Sequence, residues 1–443
     1  MQLSHLKEKN VAQFRHVPSV QQCQSRLTDI KSCAQFIRNV RVLTFTSLFP
    51  NHVQPVHGIF VYRRVRALAL RPENQVEVVA PITYFPAWIP WKKHQRLTGV
   101  PVEELVGEVR VWHPRYLLLP KLSMPLHGQS MFFGSSRLIQ GLHENRPFDC
   151  IDAHYVYPDG YAAVRLGKLL GLPVIITARG TDINVFPQFR LIRKAIQWTL
   201  AQASSIVAVS RSLKEAMVEL GVPEEKIHVI GNGVDADIFQ PIDQIRARRE
   251  LGLPEDGQII LSVGGLSRHK GFQEMISAFA QLASKLPRLK LYIIGEGSER
   301  ARLESMLQDR CLVGRVILLG SKPNEQLSLW YSAADITCLA SRREGMPNVV
   351  LESMACGTPV VATMVGGVPE IVDPGETGLL VETESPAIAD GWEHALTQPW
   401  DRQRISGRMR QRTWDVVAAE VDELLRTVTA GRGNLRRKFS QER

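Results

Sequence analysis

The stretch "IILSVGG" (Ile259–Gly265) is followed by "FQEMISAFAQLASKL" (Phe272–Leu286) and then by "LKLYIIG" (Leu289–Gly295). Short continuous runs of Ile, Val and Leu predict buried strands, whereas the apolar residues of the middle segment recur at the spacing of a helix. Continuous apolar strands alternating with helices are typical of parallel sheets covered on both faces. The three segments therefore predict a parallel strand–helix–strand unit.

The same alternation extends in both directions along the chain. It begins at "VRVLTFTSLF" (Val40–Phe49), is interrupted by the polar stretch "QPIDQIRARRELGLPEDGQ" (Gln240–Gln258), and continues to "PVVAT" (Pro359–Thr363). We interpret the polar stretch as a domain boundary. The predicted fold is α/β, with two tandem Rossmann-like, doubly wound domains and a ligand cleft between the carboxyl-end edges of their sheets.

The domain limits follow from this pattern. We expect a poorly ordered extension at 1–37, a first domain at 38–240 and a second domain at 241–408. A helix at 409–430 is expected to return to the first domain, and 431–443 to form a loose basic tail.

Composition excludes several classes of protein. The 443 residues are 44% hydrophobic and 22% charged, which is ordinary usage for a chain with two cored domains. No apolar run of membrane-spanning length and no secretory signal order is found, so a cytoplasmic location is expected. The six cysteines lack paired spacings, which predicts reduced thiols rather than disulfides or a zinc site.

The net charge of +10 is unevenly distributed. Residues 1–240 contain 28 Lys and Arg against 18 Asp and Glu, whereas residues 241–443 contain 26 of each. Such asymmetry predicts an anionic partner surface, and no nucleic-acid-binding motif accompanies it. Residues 81–125 mix aromatic with basic residues, which suits a lipid interface or an ordinary packed excursion. Peripheral contact with the inner face of the cell membrane is the hypothesis; the oligomeric state stays open.

Two carboxylates flank one predicted helix start in "SRREGMPNVVLESMACG" (Ser341–Gly357). Glu344 lies on the loop before the helix and Glu352 lies within it, while Pro347 suits the helix start and Gly357 its end. The backbone donors of the Gly345–Asn348 segment point out of the helix start. Acceptors on both sides of donors suit a nucleotide sugar; the alternative is a pair of solvated surface glutamates.

Two other motifs lead to no cofactor. "GEGSER" (Gly295–Arg300) follows a strand like a dinucleotide-binding turn, but Arg300 stands where the third glycine is needed. "DAD" (Asp235–Asp237) imitates a metal-holding carboxylate pair, yet its Asn-Gly and Asp neighbours are typical turn formers. Neither a nicotinamide cofactor nor a metal ion is therefore expected.

The segment "EGMPNVVLESMACGTPVVATMVGGVPEIVDPGETGLLVE" closely resembles the nucleotide-sugar-binding signature of the retaining glycosyltransferases of family 4, whose fold is GT-B. "SVGGLSRHKGF", "IIGEGSER" and "VIGNGVDADIF" resemble the phosphate-binding turn, the next loop and the interdomain connection of that family. In the first domain, "HGIFVYRRVRAL", "DAHYVYPDGYAA" and "TARGTDIN" are similar to members that build polysaccharides. The resemblance covers roughly residues 40–430.

The resemblance implies roles in the second domain. Glu344 is implied to contact the donor sugar, Glu352 to hold the ribose, and Lys270 to neutralise the leaving diphosphate. Gly265 stands where many relatives carry a phosphate-binding arginine, and Arg268 is the candidate replacement. The remaining candidate donor contacts are Glu296, Gly345, Met346, Pro347 and Asn348.

The resemblance also implies roles in the first domain. His154 is implied to lie near the donor's anomeric centre, and a hydrogen-bonded core or loop imidazole is the alternative. Gly58 is implied to let the backbone approach the cleft. Arg179 and Asp182 are candidates for contact with the acceptor or, alternatively, for structural ion pairing.

The resemblance implies an enzyme that transfers a sugar from a nucleotide-sugar donor to an acceptor in polysaccharide assembly. The basic charge and the aromatic and basic stretch of the first half add the hypothesis of a lipid-linked acceptor. The resemblance further implies retention of anomeric configuration without a metal, with the departing phosphate taking the acceptor's proton and Glu344 positioning the sugar. A soluble acceptor is an alternative. Two other functions stay open at this point: a nucleotide-sugar epimerase of the same fold, and a non-catalytic nucleotide-sugar-binding protein.

Overall fold

The structure is a computed structural model that describes residues 39–84, 96–118 and 124–441. The predicted N-terminal extension and much of the aromatic and basic stretch at 81–125 lie outside the described residues. In the described ranges, no helix combines the length and the apolar character that are needed to cross a membrane.

Strands and helices alternate along most of this chain. The strands are β1 (Val40–Phe45), β2 (Asn74–Val79), β3 (Ile82–Tyr84), β4 (Glu103–Val106), β5 (Val109–Trp112), β6 (Arg115–Leu117), β7 (Cys150–His154), β8 (Val174–Ala178), β9 (Ser205–Ala208), β10 (Ile227–Val229), β11 (Gln258–Val263), β12 (Leu289–Ile294), β13 (Val316–Gly320), β14 (Ile336–Leu339), β15 (Val360–Thr363) and β16 (Gly378–Val381). The α-helices are α1 (Ile59–Ala69), α2 (His127–Asn145), α3 (Tyr161–Leu170), α4 (Thr181–Asn184), α5 (Arg190–Gln202), α6 (Arg211–Glu219), α7 (Gln244–Glu250), α8 (Phe272–Leu282), α9 (Arg300–Asp309), α10 (Asn324–Ala333), α11 (Asn348–Ala355), α12 (Ser385–Thr397), α13 (Arg402–Met409) and α14 (Trp414–Gln441).

The strands form two large sheets. The eight-stranded sheet has the order β10-β9-β8-β7-β1-β2-β5-β4, and the six-stranded sheet has the order β13-β12-β11-β14-β15-β16. All pairs in these sheets are parallel except β4 with β5. From β5 to β9 the first sheet has the order of a doubly wound dinucleotide-binding fold, and the second sheet repeats it. The predicted fold class is confirmed.

Each order reverses at one point, between β1 and β7 in the first sheet and between β11 and β14 in the second. Loops at the carboxyl ends of strands leave a crevice at such a switch point, where open α/β sheets bind ligands. The strands on both sides are buried, for example throughout Cys150–His154, because helices cover both faces of a parallel sheet. The two reversals therefore define where to look for a site.

Helix α14 packs on the first sheet although it follows the second domain in sequence. Its buried residues Val421 and Leu425 belong to the same hydrophobic cluster as Val40 and Ile175. The Asp422 carboxylate accepts hydrogen bonds from Arg71 and Asn74 of the first domain. The helix continues to Gln441, so the expectation of a loose tail does not hold for the backbone of 431–441. Strong helix formers such as Leu, Arg and Lys in this segment outweigh its two glycines.

The polar stretch at 240–258 also has more structure than a linker. It contains α7, whose Arg248 is only 3% exposed. The Arg248 guanidinium donates to the carbonyl oxygens of Ala333 and Gly257 and to the carboxylate of Asp335, 2.8 Å away. The segment therefore packs on the second domain through a buried arginine that hydropathy cannot reveal.

Candidate active site

The loops at the two switch points face each other. Gly180, after β8, lies so close to the loop after β14 that a Cβ added to it would be 3.1 Å from the Gly345 Cα. The side-chain amide of Asn184 donates to the Glu344 carbonyl oxygen over 3.2 Å. The candidate donor loop of the second domain is thus in direct contact with the first domain.

A tight turn between β11 and α8 carries Lys270. Gly271 closes the turn with φ of +70°, and a Cβ there would be 1.9 Å from the Ala340 carbonyl oxygen. Only glycine fits this combination of left-handed backbone and close approach. The Arg342 amide also donates to the His269 carbonyl oxygen over 2.8 Å. The turn is thereby fixed against the loop that contains Glu344.

Lys270 and Glu344 meet in this arrangement. Lys270 Nζ lies 2.6 Å from Glu344 Oε1, and their side chains are 23% and 11% exposed. A charge-assisted hydrogen bond of this length fixes both side chains. A fixed ammonium group next to a carboxylate provides a cation for phosphate and an acceptor for sugar hydroxyls.

Helix α11 holds the second glutamate. Its C-terminal end is closed by Gly357, with φ of +80°, because the amides of Gly357 and Thr358 donate to the carbonyl oxygens of Met354 and Ser353. This is a Schellman motif, as the sequence predicts. Pro347 precedes the first helical residue, Asn348. The helix therefore has the start and the end that were expected.

Glu352 is the fifth residue of this helix and is buried. The Tyr331 hydroxyl donates to Glu352 Oε2 over 3.1 Å. Burial raises the pKa of Glu352, although the positive charge of Arg63 opposes the rise. Arg63 lies on α1, so the first domain contributes to the electrostatics of the predicted ribose-binding glutamate.

Asn232 links the two domains next to α11, a role that was not predicted for it. Its side-chain amide donates to Asn348 Oδ1 over 2.8 Å and to the Met346 carbonyl oxygen over 3.3 Å. Its Oδ1 accepts from Arg179 Nη1 over 3.0 Å. The signal was the Asn-Gly pair, which was interpreted only as a turn.

The neighbouring "DAD" segment forms a turn. Asp235 Oδ1 accepts from the amides of Asp237 and Ile238, each over 3.3 Å. Its second oxygen lies 3.9 Å from Arg63 Nε. Asp235 therefore caps its own turn, as Asp commonly does.

His154 lies at the end of β7 with no exposed surface. Arg179 Nη2 is 2.6 Å from His154 Nδ1, and because a guanidinium can only donate, Nδ1 must be the acceptor. The proton then resides on Nε2, which lies 3.3 Å from Asp152 Oδ2. Burial lowers the pKa of His154 to about 3, so the imidazole is neutral at ordinary pH.

Asp152 and Arg64 extend this buried network. Arg64 Nη2 is 3.0 Å from both carboxylate oxygens of Asp152, and Arg64 Nη1 donates to Thr177 Oγ1 over 2.7 Å. Burial alone would raise the pKa of Asp152, but the Arg64 charge and hydrogen bonding with His154 outweigh it and lower the pKa to about 2. The His154 ring therefore lies between the Asp152 carboxylate, on its Nε2 side, and the Arg179 guanidinium, on its Nδ1 side.

The candidate acceptor-side residues occupy different environments. Asp182 has no exposed surface and accepts hydrogen bonds from the amides of Val156, Arg179 and Gly180. Burial raises the pKa of Asp182. Its carboxylate holds the loop between β8 and α4, and contact of Arg179 or Asp182 with an acceptor stays a prediction.

Gly58 precedes α1 in a backbone conformation with φ of +64°. A Cβ there would be 2.3 Å from the backbone of Leu48, in the loop after β1. The glycine therefore permits close packing of two loops at the carboxyl end of β1.

The remaining donor candidates lie at the surface. Arg268 and Glu296 are exposed, and Arg300 Nη1 donates to the Glu296 carboxylate over 3.0 Å. Gly265 has open space around it, since the nearest atom to an added Cβ is the Glu296 carbonyl oxygen at 3.8 Å. The structure therefore has room for a side chain at position 265, although the residue there is glycine.

One buried carboxylate was missed by the sequence analysis. Asp159 has no exposed surface and accepts a hydrogen bond from the Ser47 amide with one oxygen, and among the described residues the other oxygen has no hydrogen-bond partner. Burial raises the pKa of Asp159 to about 7. Ser47 follows β1 and Asp159 follows β7, so this group lies at the switch point of the first sheet.

Two doubly wound domains whose switch points meet around a lysine, two glutamates and a buried histidine define a GT-B glycosyltransferase. The sequence model of the family described as "Glycosyltransferase Family 4" matches residues 58–238, and the model described as "Glycosyl transferases group 1" matches residues 243–412. The chain belongs to the glycosyltransferases of family 4.

Two relatives of this chain are named as glycosyltransferases. A putative teichuronic acid biosynthesis glycosyltransferase, TuaC, of Bacillus subtilis is 28% identical over 86% of this chain and 95% of its own length. A D-inositol 3-phosphate glycosyltransferase of Acidothermus cellulolyticus is 33% identical over 65% of this chain and 68% of its own length. The protein is a glycosyltransferase.

Solved structures agree on the fold. HepE of Anabaena, in complex with UDP and glucose, has a TM-score of 0.64 and 21% identity, and the match covers 88% of this chain and all of that chain. Similarity at this level of identity supports the fold alone.

Proposed function

We propose that the second domain binds a nucleotide-sugar donor and that the first domain binds a sugar or lipid-linked acceptor. The observation that carries this proposal is the Lys270–Glu344 pair, 2.6 Å apart, at the point where the loops of both domains meet. In this assignment the first domain spans 38–240 together with helix α14, and the second spans 241–408.

The donor assignment follows from where charge develops. Cleavage of the sugar–phosphate bond leaves an anionic diphosphate, and a fixed cation stabilises that charge most in the transition state. Lys270 is the proposed cation, with exposed Arg268 in place of the arginine that Gly265 replaces. Glu344 orients the sugar and Glu352 accepts from the ribose. The UDP and glucose in the HepE complex make UDP-sugars the first donors to test.

The proposed transfer retains the anomeric configuration and needs no metal. The leaving phosphate oxygen takes the acceptor's proton on the face from which the diphosphate departs. The sugar carries positive charge in this transition state, so a charged imidazole nearby would oppose it. His154 is neutral because of its burial, which suits a position close to the anomeric carbon.

The acceptor assignment rests on charge and on the relatives. The first domain, residues 38–240, holds 23 Lys and Arg against 16 Asp and Glu, an excess that is expected of a domain that meets an anionic partner. The teichuronic acid name of TuaC supports an acceptor from polysaccharide assembly. We propose a growing or lipid-linked glycan presented at the inner face of the cell membrane.

A donor panel tests the proposal. UDP-, GDP- and ADP-sugars are compared by thermal shift, since a ligand at about 100 times its dissociation constant stabilises by roughly 2.7 kcal/mol. The stabilising donor is then incubated with candidate acceptors, with and without EDTA, and the products are analysed by mass and by the anomeric NMR signal.

We expect a product heavier than the acceptor by one sugar, an unchanged anomeric configuration, and activity that survives EDTA. A product of unchanged donor mass would identify an epimerase instead. Donor binding without any turnover would identify a binding protein, and loss of activity in EDTA that manganese or magnesium restores would refute the metal-free mechanism.

A further inference from the structure

Three helices of the first domain form one side-by-side surface, which we call the α2–α3–α5 face. The Arg165 guanidinium of α3 lies 4.5 Å from the ring centre of Phe132 on α2. The ring centres of Tyr161 on α3 and Trp198 on α5 are 5.0 Å apart. These contacts make the three helices a continuous layer on one side of the first sheet.

The α2–α3–α5 face is strongly basic. The three helices contain six Lys and Arg and one acidic residue, Glu144. Most of these cations are exposed, among them Arg137, Lys168, Arg193 and Lys194. Within the described ranges none of the six forms an ion pair with a carboxylate. The positive charge of this face is therefore available to an external anion.

Large apolar side chains project between these cations. Leu126, Phe133 and Leu191 are each 64% exposed, and Phe189 and Leu169 are close to half exposed. Isolated exposed apolar residues are normal on soluble proteins, whereas a group of them on one face marks an interaction site.

Two open depressions of about 450 and 530 Å³ lie on this face. In the smaller one, Lys168 Nζ lies 4.9 Å from the ring centre of Trp198. The larger one is lined by Leu126 and Phe133 together with Arg115. Both combine an apolar floor with a cation, which is the arrangement that an anionic amphiphile requires.

The face adjoins the proposed acceptor side of the cleft. Helices α3 and α5 follow β7 and β8 of the parallel sheet in the chain, so they approach from its carboxyl edge. Leu191 belongs to the first turn of α5, and Phe189 directly precedes that helix. Two of the exposed apolar residues are therefore on the side of the edge where His154 and Asp182 lie.

We propose that the α2–α3–α5 face docks on an anionic lipid bilayer, with the apolar side chains inserted between headgroups and the cations on lipid phosphates. A second copy of the chain would place two basic faces against each other. Residues 1–38 carry six Lys and Arg against two Asp and Glu, so they share the sign of the face. The inference rests on the proposed function in that docking would present the cleft to a lipid-linked acceptor.

Vesicle binding of the full chain tests this inference. Phosphatidylcholine vesicles are compared with vesicles that also contain phosphatidylglycerol, at low salt and at 0.15 M salt, where the screening length is about 8 Å. We expect binding to the anionic vesicles only, weakening as salt rises. The double variants Arg193→Glu/Lys194→Glu and Phe133→Ser/Leu191→Ser should each lower the partition coefficient at least tenfold.

Matched changes on the second domain are the controls. Val313, 68% exposed, and exposed Arg310 allow Val313→Ser and Arg310→Glu, which should bind vesicles like the wild type. Circular dichroism and melting temperature show whether each variant is folded. Wild-type binding by the folded face variants, or equal binding to neutral vesicles, would overturn the proposal.

Two further measurements separate the outcomes. A wild-type dimer that the face variants dissociate, seen by analytical ultracentrifugation, would assign the face to a second copy instead and would also overturn the proposal. Donor thermal shift is measured in the same variants and should be unchanged. If the wild type binds none of the donors, the proposed function is wrong, whereas the vesicle result stands on its own.

Discussion

The two glutamates of the candidate donor site lie in different environments, from which we predict different roles. Glu352 is fixed within α11, buried, and hydrogen-bonded by Tyr331, whereas Glu344 is on a loop and paired with Lys270. Glu352→Gln should weaken donor binding by about 1.5 to 3 kcal/mol, or roughly 10- to 150-fold, because a charge-assisted hydrogen bond to the ribose is lost in ground and transition states alike. Its turnover number at saturating donor should change less.

Glu344→Gln should instead lower the turnover number by a similar factor with little change in donor affinity. The carboxylate stabilises the sugar as positive charge grows at the anomeric carbon, which is an effect on the transition state. Donor dissociation constants and saturated rates of both variants decide the matter. Two variants with wild-type binding and rates would show that neither carboxylate touches the donor.

Asp159 makes stability depend on pH. Below about pH 4 its carboxyl is protonated in folded and unfolded chains, but between about pH 4 and 7 only the folded state keeps the proton. The unfolded state binds fewer protons in this window, so the free energy of unfolding falls as pH rises. Asp159→Asn keeps an acceptor for the Ser47 amide and cannot ionise. Relative to wild type, this variant should gain more than about 1 kcal/mol of stability between pH 4 and pH 8.

Urea unfolding at several pH values measures this gain. Asp390, an exposed residue of α12 that forms no ion pair with the described residues, is the control position, and Asp390→Asn is unfolded in parallel to show the general effect of replacing a carboxyl with an amide. An Asp159→Asn variant that follows the wild-type curve would contradict the assignment of a buried neutral carboxyl.

At this scale the sequence identifies candidate residues better than their partners. The loop and helix positions of Glu344 and Glu352, and the Gly357 helix end, could be predicted because they depend on near neighbours in the chain. The network around His154 could not, because Arg64 and Asp152 are 88 residues apart and only the parallel pairing of strands brings them together. Their individual residue types carry no local signal.

The turn between β11 and α8 gives a prediction for an element. Gly271→Ala should destabilise the protein and weaken donor binding, because the new Cβ would meet the Ala340 carbonyl oxygen at 1.9 Å and displace the turn that carries Lys270. Gly375→Ala is the matched control, with φ of +81° and, in the described part of the chain, no atom beyond its own chain neighbours within 4 Å of an added Cβ. It should show only the cost of a left-handed alanine, about 1–2 kcal/mol.

Urea denaturation and donor titration compare the two variants. Equal losses of stability and unchanged donor affinity in both would mean that the close approach at Gly271 does not matter for the site.

Elements with largely apolar runs, such as β8 and β15, could be predicted because a strand buried on both faces favours apolar residues at most positions. Helix α7 was not predicted, because its "QIRARRE" is charged and belongs to the polar stretch that was interpreted as a domain boundary. Its buried anchor is the guanidinium of Arg248, and hydrogen bonds to carbonyl oxygens leave no trace in hydropathy. Polar packing of this kind is visible only in three dimensions.

At the scale of the whole molecule, the first domain depends on the helix that follows the second. Leu425→Ala should lower the free energy of unfolding by about 2–5 kcal/mol, because the fully buried side chain fills the cluster that contains Val40 and Ile175. Val416→Ala, at a position of the same helix that is 41% exposed, is the control and should change stability by less than about 0.5 kcal/mol.

Chemical unfolding with hydrogen exchange followed in β1 and β8 measures both effects. If Leu425→Ala costs less than about 1 kcal/mol, or leaves exchange in those strands unchanged, helix α14 is not part of the core of the first domain.

The return of helix α14 also sets an order of events during translation. Arg71 and Asn74 are synthesised 351 and 348 residues before their partner Asp422, so the whole second domain is made while this face of the first sheet is uncovered. The domain that leaves the ribosome first is thus the one that is completed last. A nascent chain or a fragment that ends near residue 240 lacks helix α14 and so exposes Val40, Val42 and Ile175. Exposed apolar surface of this kind is aggregation-prone and is what chaperones recognise.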